Sequence, residues 1–161
     1  MIYLKKSARF ISVVLAIFFT FTNAHAGLDR ATALSLTESC ANAVESNEWP
    51  PFGIAVFDNY GRMLSFQLMD GAMSGAIDLA IGKARTSANF PFATMDVANI
   101  VESNPGAKGL AEFPGIVSVQ GGLPIFVDGK HIGGIGVSGG MPEQDEACAK
   151  VALKTLESEK Q

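Results

Sequence analysis

Gly133-Gly134-Ile135-Gly136-Val137-Ser138-Gly139-Gly140 runs directly into Met141-Pro142-Glu143-Gln144-Asp145-Glu146. Three glycines interrupt what otherwise reads as a strand, and a glycine corner follows. A proline and three acids then open an alanine-rich helix. A glycine inside a strand forfeits packing, so it marks a place where another backbone or a ligand comes close. The stretch therefore predicts a strand under close approach, turning sharply into a helix that starts at Pro142.

Working outward, His131 to Val137 and Pro124 to Val127 read as strands joined by Asp128-Gly129, a hairpin turn whose residues tolerate positive φ. A further strand is expected at Ile116 to Val119. Upstream, Gly53 to Phe57 and Met63 to Met69 read as a hairpin turning at Asp58-Asn59-Tyr60-Gly61, with Tyr60 facing solvent. Helices are expected from about Asp29, a natural cap, to Ser46, from Gly75 to Phe90, from Thr94 to Val101, and from Pro142 to Glu157. On the second of these, Ile77, Ile81, Ala84 and Ala88 form the expected buried stripe. Pro91 to Gly115 reads as a covering loop. Hairpin connections predict an antiparallel five-stranded sheet, an α/β (α+β) domain with helices packed against the sheet.

The first 26 residues read as a signal peptide. Lys5, Lys6 and Arg9 give a basic start, Phe10 to Phe21 an apolar run, and Ala24-His25-Ala26 a small-x-small cleavage site. Cleavage leaves residues 27–161 as a single domain of 135 residues. It also removes three positive charges and no negative ones, taking the net charge from −4 to −7. A periplasmic or secreted location is expected, with no membrane span after cleavage. Such an acidic domain is a poor partner for nucleic acid.

Four strings resemble one family. Phe66-Gln67-Leu68-Met69-Asp70-Gly71-Ala72 is similar to its F-x-R-M-D-G-A hairpin exit, and Ile77 to Ala84 to its central helix. Gly121-Gly122-Leu123-Pro124-Ile125 is similar to its G-G-x-P-I string, and Ile135 to Glu146 to its I-G-V-S-G-G-x-x-E-Q-D-E signature. Together, over about Leu28 to Leu156, the chain resembles the GlcG/HbpS haem-binding family, a DUF336-type domain. The resemblance implies a profilin-like fold, a homo-oligomer, and haem or a similar small molecule as partner. Gln67 departs from the usual arginine, Gly82 from a frequent aspartate, and Glu112-Phe113-Pro114 from the family's loop.

The candidate site residues each carry two readings. After cleavage His131 is the only histidine, an exposed edge residue or an axial haem ligand. Lys83 is a snorkelling lysine, or else a carboxylate anchor or a proton donor. Met69, Met73 and Met141 gather at the glycine corners as core fillers or as thioether ligands. Met69, Lys83, His131 and Met141 are thus the cofactor-binding candidates. Asp70, Lys83 and Glu143 are the acid/base candidates for the alternative reading, a small-molecule enzyme or accessory protein of hydroxy-acid metabolism. Glu143, Asp145 and Glu146 also simply complement the positive end of the last helix. They would repel a phosphate there. No CxxC, HExxH or carboxylate–histidine cluster occurs, so no metal site is expected.

Cys40 and Cys148 fall on the buried stripes of the first and last helices, Cys148 alongside Val151, Ala152 and Leu156. An exported chain with two cysteines favours a bridge, the other reading being two buried thiols.

Overall fold

The computed structural model describes residues 27–158; the signal-peptide segment lies outside the described residues. Helix α1 (Arg30–Ser46) is capped by Asp29, whose side chain accepts from the Thr32 amide at 2.8 Å. Strands β1 (Gly53–Asp58) and β2 (Met63–Leu68) form the first hairpin. Its turn is tied by Asp58, which accepts from the Tyr60 and Arg62 amides and pairs with the Arg62 guanidinium; Tyr60 is exposed. Helices α2 (Gly75–Asn89), α3 (Thr94–Ser103) and the short α4 (Lys108–Glu112) follow. Strands β3 (Gly122–Val127) and β4 (Lys130–Ser138) make the second hairpin, and α5 (Pro142–Ser158) closes the chain. Its turn residues Asp128 and Gly129 have φ of 51° and 75°, the paired positive values this hairpin needs.

The sheet is antiparallel with strand order β2-β1-β4-β3. It has four strands among the described residues, where the sequence predicts five. Ile116 to Val119 does not join it, because its polar backbone is bonded to helices instead. The Val117 amide donates to the Thr86 hydroxyl at 2.9 Å, and the Val119 carbonyl accepts from Thr94 at 2.6 Å. The segment lies across α2, and the Val117 methyl fills the space a side chain at Gly82 would occupy. The expected covering loop, in turn, contains the additional helix α4.

Alternation along the two central strands gives each face its own layer. Ile54, Val56, Ile135 and Val137 form one core with Leu36, Cys40 and Val44 of α1 and Cys148, Ala149 and Ala152 of α5. Ala55 and Phe57 face α2, packing on Ala80, Ala84 and Ala88. Gly134 and Gly136 belong to that second face. A β-carbon on Gly136 would lie 2.2 Å from the Ala84 amide nitrogen, and one on Gly134 2.4 Å from that of Ala88. The close neighbour that these glycines admit is therefore the α2 backbone, and no ligand can use the same space.

So close a contact leaves room only for small side chains between helix and strand. The buried stripe of α2 is accordingly Ala76, Ala80, Ala84 and Ala88, while Ile77 and Ile81 sit half-buried at its border. On α5, Val151 is exposed at 37 %, and Asp145, Cys148, Ala149 and Ala152 form the buried face. Cys40 and Cys148 are joined in a disulfide with α-carbons 5.0 Å apart, linking α1 to α5.

Candidate functional site

Lys83 leaves α2 at the level of the glycine corner and is 1 % exposed. Its ammonium donates to an Asp145 carboxylate oxygen at 2.7 Å and to the Val137 carbonyl at 2.8 Å. Asp145 is 3 % exposed, and its other oxygen accepts from the Gly140 amide at 3.0 Å. Burial pushes the Asp145 carboxyl above its ordinary value, although the Lys83 ammonium and the Gly139 and Gly140 backbone pull it down. Gly121, at φ 116°, closes over the pair: a β-carbon there would lie 2.9 Å from the Lys83 Nζ and 2.7 Å from the Asp145 Cβ.

This pair ties α2, β4 and the start of α5 together and is sealed from solvent. Lys83 is therefore neither a snorkelling lysine nor a group that a ligand reaches. Among the three acids of the signature, Asp145 pairs inward, Glu146 pairs with Lys150 along the helix, and Glu143 is exposed. Sequence reasoning treated all three acids as helix-end charges and missed the partner of Lys83. The signal was present, since Asp145 lies three and seven residues before Cys148 and Ala152 on the buried face.

The segments that carry the pair also expose large apolar side chains. Met141, between the glycine corner and α5, is 68 % exposed. Leu79, one turn before Lys83 on α2, is 43 % exposed, and Val119, two residues before Gly121, is 45 % exposed. Met73, which precedes α2, is also exposed. These exposed apolar side chains are the candidate contact surface of the corner.

Met69 and Asp70 lie at the same end of the sheet but in a separate cleft of about 480 Å³. Glu45, Glu48, Trp49 and Pro51 line it with them. Trp49, Glu45 and Glu48 were not singled out from the sequence. Their signal was the chain's one tryptophan, set between a helix end and a Pro-Pro pair.

His131 stands at the opposite end of β4, seven residues from Ser138, a span of about 23 Å at roughly 3.3 Å per residue. Half-buried, it packs on Phe126 with ring centroids 5.4 Å apart. Its Nε2 lies 2.9 Å from the Ser87 carbonyl, which only accepts, so Nε2 carries the proton. The four cofactor candidates thus do not converge: Met141 and Lys83 share a corner, Lys83 is sealed, Met69 lines the cleft, and His131 is remote. Nor do Asp70, Lys83 and Glu143 form an acid/base set, because the two carboxylates are exposed and the ammonium is consumed by Asp145.

With this geometry in place, residues 28–154 match a family described as "HbpS-like: Haem degrading protein HbpS-like". Protein GlcG of Escherichia coli K12 is 33 % identical over 115 residues, covering 66 % of this chain and 84 % of GlcG. A PduOC:haem complex superposes with a TM-score of 0.73 at 28 % identity, covering 80 % of this chain and 94 % of that one. HbpS of Streptomyces reticuli, as a double mutant, gives a TM-score of 0.75 at 25 % identity, covering 94 % of this chain and 99 % of HbpS.

Proposed function

This chain belongs to the HbpS-like family, and from that premise we propose that it is an exported haem-binding protein whose porphyrin seat is the apolar corner around Met141. The observation that supports the assignment is the exposure of Met141, Leu79 and Val119 on the segments that carry the buried Lys83–Asp145 pair and its Gly121 cover. A porphyrin needs an apolar surface and an axial ligand, and exposed apolar side chains together with a thioether support that reading here. The Met141 thioether is the ligand candidate, on a residue whose amide is fixed by the Gln144 side chain at 2.9 Å while Gly139 and Gly140 pack against Phe52. When bound, haem would supply iron-centred ligand and redox chemistry; the chain's own residues seat and orient it. Glu143, exposed two residues from Met141, opposes haem propionates at the corner as well, but the Met69 cleft is lined by three carboxylates, Glu45, Glu48 and Asp70.

The corner is open, so one chain covers one face of the porphyrin. A second copy would cover the other. The outer strands β2 and β3 also leave backbone edges for pairing, which supports a homo-oligomer. Export is supported by the basic and apolar leader with its Ala24-His25-Ala26 site, and by the Cys40–Cys148 bridge, which suits an oxidising compartment. Among the described residues no helix is long and apolar enough to cross a membrane.

Haemin titration followed in the Soret region tests the assignment. A sharp band saturating at about one haemin per chain is expected, weakened and shifted in Met141→Ala and retained in His131→Ala. A featureless, non-saturating curve for the parent protein overturns haem binding. A parent-like spectrum in Met141→Ala overturns the choice of ligand.

A further inference from the structure

We infer that the cleft between the end of α1 and the end of β2 is a second, separate site that binds a small organic cation, a quaternary or protonated amine of about the size of choline. At about 480 Å³ the cleft falls within the range of small-molecule pockets. Trp49 supplies an aromatic wall whose position is fixed. Its amide donates to the Val44 carbonyl at 3.1 Å, and its ring stacks on Phe52, fully buried, with centroids 6.1 Å apart. Indole is the best of the aromatic faces for a cation, and the Met69 thioether adds a polarizable apolar contact.

The charge at the site has one sign. Glu45, Glu48 and Asp70 line the cleft, and no lysine or arginine does. Helix α1 ends here with no basic residue in its last turn, so no side-chain cation offsets the carboxylates at its C-terminal end. Glu48 is held at φ 53°, in the left-handed region that residues other than glycine seldom adopt, which sets it beside Trp49 instead of continuing the helix. Carboxylates alone would be a solvated cluster. The cavity and the pinned indole are what make a seat, and the charges choose what sits in it: an anion is repelled, and a neutral molecule of the same shape gains nothing from them.

Trp49 is the only tryptophan of the chain, so its fluorescence reports this cleft alone. The test is titration of the haemin-free protein, at low salt, with choline and with dimethylbutanol, its uncharged carbon isostere. Choline is expected to give a saturating change in emission, with the alcohol at least about tenfold weaker. The double variant Glu48→Gln/Asp70→Asn is expected to weaken choline by about tenfold while melting like the parent. A linear, non-saturating response to choline, an equal response to the alcohol, or parent-like choline binding by the double variant overturns the proposal. Haemin is read in the Soret band and carries the opposite charge, so failure of either site leaves the other standing.

Discussion

Lys83 and Asp145, 62 residues apart in sequence, meet at 2.7 Å in a contact that solvent barely touches. Two charges in so dry a place attract strongly but have lost their hydration, and the net gain of such a pair is small. Losing one member is another matter. Asp145→Ala leaves a buried ammonium with only the Val137 carbonyl and is expected to cost about 3–5 kcal/mol. The double change Lys83→Met/Asp145→Leu should recover most of that. Urea unfolding of the three proteins is the check, and a double variant no better than the single one would refute this account.

Acid should reveal the same pair from the other side. The Asp145 carboxyl is raised above its ordinary value of 3.8, chiefly by burial. A raised acid contributes stability that is fully present below the unfolded value and is lost as pH climbs through the folded one. Lys83→Met removes both the hydrogen bond and the charge that hold this carboxyl down, so it raises it further. The variant's deficit should therefore be smallest near pH 4 and grow toward neutrality. A deficit that stays flat across that range would contradict it.

The glycines of β4 make a sharper claim. Gly136→Ala puts a methyl 2.3 Å from the Ala80 carbonyl oxygen as well as against Ala84, and both are helix backbone that cannot rotate away. Overpacking ordinarily costs about 1–3 kcal/mol, and this case lies at or beyond the upper end. Gly109→Ala, in α4 with open space around it, should be neutral or stabilising by up to about 1 kcal/mol. Paired thermal melts decide the point, and a Gly136→Ala protein that melts like the parent would overturn the packing argument.

What the sequence showed and what it hid follow from the range of the forces involved. Hairpin turns, the Asp29 cap and the Pro142 helix start are local, and all three stand in the structure as read. Ile116 to Val119 has a strand's composition, yet its backbone partners are the side chains of Thr86 and Thr94, some 25 to 31 residues away. On α2, Ala84 and Ala88 are buried as read, but Ala76 and Ala80 take the places expected for Ile77 and Ile81, because apolar spacing favoured isoleucine. Glycines on another element decided in favour of alanine. Lys83 was legible as special through its position in a helix string, but the choice between snorkelling and pairing rested on an aspartate in the last helix. Trp49 was invisible as a site residue because a cleft belongs to the fold, and no local pattern encodes one.

The Cys40–Cys148 bridge connects these structural points to the cell. It spans 108 residues of sequence, and cross-linking a loop of that length restricts the unfolded chain by about 4–5 kcal/mol in the chain-entropy account, an upper bound. Two outcomes are expected. Protein recovered after export should begin at Gly27, contain no free thiol under denaturing, non-reducing conditions, and lose stability on reduction. The same chain made without residues 1–26 in a reducing cytoplasm should show two thiols and a lower melting temperature, restored by oxidation. Thiol counting, intact mass and melting with and without reductant measure all of this. Two free thiols in the exported protein would remove both the bridge and the support it lends to an oxidising destination.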